Sequence, residues 1–301
     1  MRASVLPPDE TVTPDGRTQR AVQSIEVGGQ LLQALATADG PLALKDLAGA
    51  AGLPASRAHP YLVSFGRLGL IVRDPGTGHY ALGPACLQLG LAALRQLDPV
   101  REAGPVAEAL AAATGQAVAL ALWGDFGPTV IRMIDARRPL HVSMRAGTVM
   151  SIRGTATGRA FAAVLPRERL DRTRARPLGE PRGIDPPALS DPDPELDAIV
   201  AEYRRHGVAR AVGRPIPGVN AFSAAAFDHE GAPAIVITAL GHQDDIAPDW
   251  ASPTARAVCE AAARITRRLG GSTADRPHAR ARTDGGRPPH DTHNTPDEPR
   301  P

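Results

Sequence analysis

The sequence predicts a mixed α+β chain built as two domains, and three observations carry that prediction. Its 301 residues suffice for two hydrophobic cores. Before residue 70, apolar residues recur at helical spacing through three successive segments, and two short runs at 70–73 and 79–82 then flank the turn residues "DPGTG". Beyond Pro99, strand and helix patterns come in blocks, the arrangement expected of a mainly antiparallel sheet flanked by helices.

Ile25, Gly28, Leu32 and Leu35 predict a first helix over roughly 19–37. "ADGPLALKDLAGAAGL" then reads as a turn, a very short extended piece at 42–44 and a second helix around 45–51. Gly52 ends that helix, because a left-handed residue there costs glycine nothing. In "GLPASRAHPYLVSFGRLGL" a third helix places Ala58, Leu62, Phe65 and Leu68 on one face and closes at Gly69. With the hairpin, these elements make a winged helix-turn-helix.

Pro60 is the discordant residue. A helix starting at Ala55 puts it in the second turn, where it removes the hydrogen bond to the Ser56 carbonyl and bends the helix, at about 3 kcal/mol. A helix starting at Pro60 with His59 as N-cap avoids that cost. The "GLPASRA" lead-in favours the longer, bent helix.

"PACLQLGLAALRQLD" opens with proline at a favoured first-turn position and reads as a linker helix over 84–99. A further helix over 100–114 ends at Gly115, and strands are expected at 117–123, 129–134 and 141–145. "GTATGRAFAAVLP" is a helix beginning near Thr155 or Thr157 and stopped by Pro166, followed by a surface loop over 166–193. "DPELDAIVAEYRRHG" is helical, strands follow at 208–212, 221–227 and 234–240, and "SPTARAVCEAAARITRRLG" closes the domain as an amphipathic helix. The expected division is a disordered segment 1–17, a winged helix-turn-helix 18–83, the linker 84–99, a second domain 100–270 and a tail 271–301. That tail has no Val, Ile, Leu, Met or aromatic residue to offset its ordering entropy, so disorder is expected.

Composition narrows the function classes. A net charge of +2 does not announce a nucleic-acid partner, and the pI near 8.8 rests on arginine, since Lys45 is the one lysine. Clustering of charge would matter; number does not. Cys86 and Cys259 are far apart, which argues against a disulfide framework and suits a reducing cytoplasm. No apolar run approaches the roughly 18–20 residues of a membrane span, and the first twenty residues lack the apolar region of a secretory signal. A cytoplasmic protein is expected. Phosphate loops, nucleophile elbows and zinc-type spacings are missing, so neither an enzyme nor a cofactor is expected. "HQDD" at 242–245 reads as a solvated acidic loop, and His278, His290 and His293 match no metal-ligand spacing.

"LKDLAGAAGLPASRAHPYLVSFGRLGLIVRD" with "HYALGPACLQLG", then "IRGTATGRAFAAVLP", "GVNAFSAAAFDHEGAPAIVITALG" and the closing helix, resemble the isocitrate lyase regulator (IclR) family of bacterial transcription regulators, over about residues 20–269. The resemblance implies an N-terminal domain that binds a double-stranded DNA operator and a C-terminal GAF-like domain that binds a small effector. It also implies dimers, often tetramers. The chain departs from the family at Pro60, where Arg or another helix-compatible residue is usual, and at Ala221, where some members carry cysteine.

On the third helix, Ser56, Arg57, His59, Tyr61 and Ser64 lie opposite the apolar face and are the candidates to meet DNA. Alone, such a face reads first as a solvated one; the wing and linker around it reverse that order in favour of DNA. Arg73, Thr77 and His79 are wing candidates for sugar-phosphate, or ordinary hairpin residues, and Lys45 is a phosphate contact or a plain surface lysine. The resemblance sets effector positions at Val142, Met150, Ala156, Thr157, Val219, Ala221, Thr238 and Leu240. Thr155 joins them with Gly154 and Gly158, where a loop becomes a helix and exposed amides suit a small organic carboxylate. The competing reading of "GTATG" is a helix cap with close packing. Arg145 and Asn220 are further polar candidates or structural residues, and Trp123 reads as core. A rival from another class is a small-molecule sensor or protein-binding module whose DNA-binding domain has decayed, with Pro60 as the trace.

Overall fold

A computed structural model describes residues 22–137, 144–171 and 193–272. Val142, most of the strand expected over 141–145, most of the loop expected over 166–193, segment 1–17 and the histidines at 278, 290 and 293 lie outside the described residues. Where that loop is described the expectation is corrected: Arg167–Asp171 is a short helix, because Leu170 is apolar and buries in the core. The chain forms two compact units that part between Leu97 and Asp98.

The first unit holds α1 (Gln23–Thr37), α2 (Leu44–Ala50), α3 (Ala55–Arg67), a hairpin of β1 (Ile71–Arg73) and β2 (Tyr80–Leu82), and α4 (Pro84–Gln96). Leu31, Leu35, Leu47, Ala48, Ala58, Leu62, Ile71 and Tyr80 form its core. Two expectations about that core need correcting. The buried stripe of α1 is Val27, Leu31 and Leu35 with Gly28, whereas Ile25 is 74% exposed on the first turn. Leu68, the C-cap of α3, is 66% exposed: at helical spacing it falls at the edge of the face centred on Ala58 and Leu62, outside the core. Gly28 lets α1 approach α3: a Cβ there would sit 2.7 Å from Phe65 Cζ. Leu42 pairs with Tyr80 as a third, one-residue strand beside the hairpin.

Helix α3 runs unbroken from Ala55 through Pro60. The restart at His59 does not occur. Pro54 caps the helix, and its carbonyl accepts from the amides of Arg57 and Ala58, both at 3.0 Å.

The second unit starts where Asp98 caps α5 (Pro99–Thr114) by accepting from the amides of Val100 and Arg101. It continues through β3 (Ala117–Gly124), β4 (Gly127–Ile134), α6 (Ala156–Val164), α7 (Arg167–Asp171), α8 (Pro194–His206), β5 (Ala209–Val212), β6 (Val219–Phe227), β7 (Pro233–His242) and α9 (Pro253–Arg268). The five strands form one antiparallel sheet in the order β4-β3-β7-β6-β5. Helices α5 and α9 pack together on β3 and β6, while α6 lies on β5, β6 and β7 with α8 outside it. Strand alternation sends Val236, Thr238 and Leu240 of β7 to the α6 side and Ile235, Ile237 and Ala239 to the other.

Of the strand expected over 141–145 only the last two residues are described. Met144 and Arg145 are not in a strand; Gly147, at φ +90°, redirects the chain so that Val149 bridges Thr129. Gly271, expected in the tail, is still docked, its amide donating to the Thr266 carbonyl at 2.9 Å. Among the described residues no helix is long and apolar enough to cross a membrane.

Candidate nucleic-acid interface and effector cleft

The outer face of α3 presents Ser56, Arg57, His59 and Ser64, all exposed, together with exposed Val63, which sequence reasoning missed. Val63 follows Ser56 and His59 at helical spacing, and that spacing was the available signal. Tyr61 departs from the expectation of an exposed position. It is half-buried against the core cluster, and its ring faces Gly28 of α1, which has no side chain to keep it out. Ser64 Oγ donates to the Pro60 carbonyl at 3.0 Å, so its hydroxyl is engaged along the helix. Lys45 stands exposed in the first turn of α2.

The wing candidates all take part in hairpin structure. Asp74 Oδ1 accepts from the Gly76 amide, the Thr77 amide and the Thr77 hydroxyl at 2.9, 2.6 and 2.9 Å. Those bonds, led by the Thr77 amide, hold the Asp74 carboxyl below its ordinary pKa. Arg73 Nε donates to the Gly78 carbonyl and its guanidinium lies over the Tyr80 ring. The His79 amide donates to Thr77 Oγ1 at 3.3 Å.

In the second unit a cleft opens between the start of α6 and the α6-facing side of the sheet. It brings together Met150, Thr155, Ala156, Thr157, Val219, Ala221, Thr238 and Leu240. Met144, Ala211, Arg214, Pro215 and Ile216 also line it and were missed. The last three belong to the β5–β6 connection, where "GRPIPG" was a legible turn signal without a legible location. The cleft is half-open to solvent and lined mainly by apolar groups with a few polar ones, the make-up of a small-molecule site. Arg145 is exposed and does not line it. Asn220 is buried and structural, accepting from the Gly213 amide at 3.1 Å and donating to the Ile246 carbonyl at 2.9 Å. Trp123 packs against the cluster that includes Phe161, with ring centroids 5.5 Å apart.

Both readings of "GTATG" find support. Thr155 caps α6: its hydroxyl donates to the Ser151 carbonyl at 2.7 Å and accepts from the Gly158 amide at 3.0 Å. A Cβ on Gly158 would lie 2.1 Å from the Ser151 carbonyl oxygen, so close packing demands glycine there. Yet the cap leaves the amides of Ala156 and Thr157, at the cleft wall, without an acceptor among the described residues. Arg214 is the one charged side chain lining the cleft and makes no ion pair or hydrogen bond among the described residues. Two free amides at a helix start and an unpaired guanidinium suit an anionic group. Beneath them Thr157 Oγ1 lies 2.9 Å from Thr238 Oγ1, which lies 2.7 Å from Ser223 Oγ.

Arg153, in the turn before α6, pairs with Asp193, the N-cap of α8. The Leu196 amide bonded to Asp193, with the Arg153 charge, holds that carboxyl below its ordinary pKa against the opposing effect of burial.

The family model of the IclR helix-turn-helix domain matches residues 24–75, and that of the bacterial transcriptional regulator IclR C-terminal domain matches 91–267. The chain is 25% identical over 255 residues to the transcriptional repressor IclR of Escherichia coli (strain K12), covering 83% of this chain and 91% of the relative. It is 28% identical over 260 residues to the glycerol operon regulatory protein of Streptomyces griseus, covering 83% and 98%. The crystal structure of Pseudomonas aeruginosa HmgR matches with a TM-score of 0.72 at 34% identity, covering 84% of this chain and 100% of that one.

Proposed function

The chain belongs to the IclR family of bacterial transcriptional regulators, and on that premise we propose how it reads DNA and what it senses. It is a ligand-responsive, DNA-binding regulator of transcription. In our reading it acts by binding, without catalysis or cofactor, in the cytoplasm where its operator lies. The outer face of α3, with Ser56, Arg57, His59, Val63 and Ser64, enters the major groove, and Arg57 is the residue suited to a bidentate contact with guanine. Lys45 and the first amides of α3 meet phosphate. The wing contributes shape, its polar groups being held in the turn at Asp74.

The effector is a small organic carboxylate bound in the cleft of the second unit. The observation that carries this is the meeting of the free amides of Ala156 and Thr157 with Arg214 around an otherwise apolar space. The chain works as a dimer or a larger assembly. Helix α4 buries no residue in its own unit and exposes Leu87, Leu91 and Leu94 along one face, a stripe suited to a second copy. Dimerisation sets two α3 helices on successive major grooves, about 34 Å apart. Pro60 within an unbroken α3 supports a working reading head over a decayed one.

A gel shift on the DNA beside the protein's own gene, repeated at rising salt, tests the reading. Affinity should fall with a log–log slope of about −0.9 per phosphate neutralised and stay well above that for unrelated DNA. Equal affinity for both DNAs would leave only non-specific binding and end the proposal.

A further inference from the structure

We infer that Ser223, Thr238 and Thr157 form one hydrogen-bond chain that presents a single hydroxyl proton to an acceptor oxygen of the effector, with Ser223 as a positioning residue that sets ligand choice without touching the ligand. This rests on the cleft beside α6 being the effector site.

The argument is a count of protons. Each hydroxyl carries one proton and two lone pairs. Three hydroxyls bring three protons, and the contacts Thr157–Thr238 and Thr238–Ser223 use two. None of the three side chains makes another hydrogen bond among the described residues. One proton is therefore left over.

Where it sits follows from burial. Thr238 can donate only once, so three arrangements exist. If both neighbours donate to Thr238, the spare proton is on Thr238. If Ser223 donates to Thr238 and Thr238 to Thr157, it is on Thr157. Both residues line the cleft, at 3% and 2% exposure. The third arrangement strands it on Ser223, which is 0% exposed, does not line the cleft and has no further acceptor among the described residues. An unmet buried donor carries its full desolvation cost, so this arrangement loses. The spare proton therefore faces the cleft.

Among the described residues the free amides and the charged side chain around the cleft can only donate, and the hydroxyl chain, though it keeps lone pairs, has a proton to give. The Ala156 and Thr157 amides, Arg214 and the hydroxyl chain donate, and Thr155 has its hydroxyl occupied as the helix cap. A ligand seated there brings acceptors at its polar end, as a carboxylate does, and an apolar body against Met144, Met150, Val219 and Leu240. Ser223 matters because its own proton, given to Thr238, strengthens the donor that faces the cleft; without Ser223 one proton still remains on Thr157 or Thr238. Removing that hydroxyl lets Thr238 and Thr157 settle their bond in either direction, with no partner behind them to strengthen the outgoing donor.

Methionine-methyl labelling of the full chain supplies the test, since the sequence has four methionines and Met144 and Met150 line the cleft. Benzoate and toluene, alike in shape but differing in acceptors, are titrated as probes. Both should shift the Met144 and Met150 resonances. Ser223→Ala should weaken benzoate about 3- to 10-fold, the worth of one weakened hydrogen bond, and toluene less than about 2-fold. Thr157→Val should weaken benzoate about 10-fold, while Thr157→Ser, which keeps the hydroxyl, stays within about 2-fold of the parent. Unchanged benzoate affinity in Ser223→Ala overturns the hydroxyl chain, as does an equal loss for both probes or an equal loss in the two Thr157 variants, since those report packing. If neither probe moves Met144 or Met150, the effector-site reading falls first and the inference with it.

Discussion

Pro60 stands in the second turn of α3, where its ring deprives the Ser56 carbonyl of an amide donor while its own carbonyl accepts from Ser64. Its side is exposed, so nothing in the core holds it there. Replacing it with arginine should restore the helix bond, raise unfolding stability by up to about 3 kcal/mol in urea denaturation and tighten operator binding in the gel shift. If Pro60→Arg folds but no longer binds the operator, the proline is itself part of the reading head. Two titrating residues set a second expectation. Burial, with the charges of Arg205 and Arg210, lowers the His206 pKa against a weaker opposing effect of Glu202. The imidazole stacks on Trp250 at 4.2 Å, and the Arg210 guanidinium lies over the same indole. As pH falls below the ordinary 6.5, the unfolded chain takes up the proton first, so stability declines from there down through the folded value. Asp193, also depressed, adds a second loss below the ordinary 3.8. Denaturation followed by tryptophan fluorescence, both tryptophans lying in the second unit, across pH 7 to 4 should show the first decline, and His206→Phe should flatten it.

At the level of elements, the joints are made by glycines without side-chain room. A Cβ on Gly83, where the hairpin enters α4, would lie 2.2 Å from the Gly69 carbonyl oxygen, though the Gly83 backbone is ordinary at φ −88°. Gly83→Ala should therefore destabilise the first unit by about 1–3 kcal/mol through overpacking, read as a lower urea midpoint for that unit. Gly158 has the same role under α6, against the Ser151 carbonyl. Helix α4 offers a different expectation. Leu87→Asp with Leu91→Asp alters only exposed positions, so each unit should keep its fold while the sedimentation coefficient falls toward that of a monomer. An unchanged assembly would place the interface elsewhere.

For the whole molecule, a ligand changes operator affinity only by preferring one arrangement of the assembly over another. Cleft and operator must then be separable by mutation. Arg214→Gln leaves α3 untouched and removes the one charged group among the described residues that line the cleft. It should bind the operator like the parent and lose most of the response to a carboxylate effector, measured as the effector-induced shift in operator affinity. Loss of operator binding itself would mean that Arg214 supports the assembly rather than the ligand.

Periodicity and punctuation by themselves determined the element order apart from α7 and the stretch after β4, the helix-turn-helix with its wing, and the position of α6, because apolar spacing, Gly52, Pro84 and the cap at Thr155 are local signals. The cleft's contributions from α6, β6 and β7 were legible only through family resemblance, and the described structure gathers those positions around one space. What sequence could not decide depends on close approach between distant residues. Tyr61 turned inward because Gly28 opens a gap in α1, and Thr77 was used up by Asp74 at the hairpin tip. Arg214 came to the cleft because β5 pairs beside β6, which carries the "GRPIPG" turn to the mouth. The hydroxyl chain is the extreme case. Thr157 and Thr238 are 81 residues apart, and only the laying of α6 across β7 brings their oxygens to 2.9 Å.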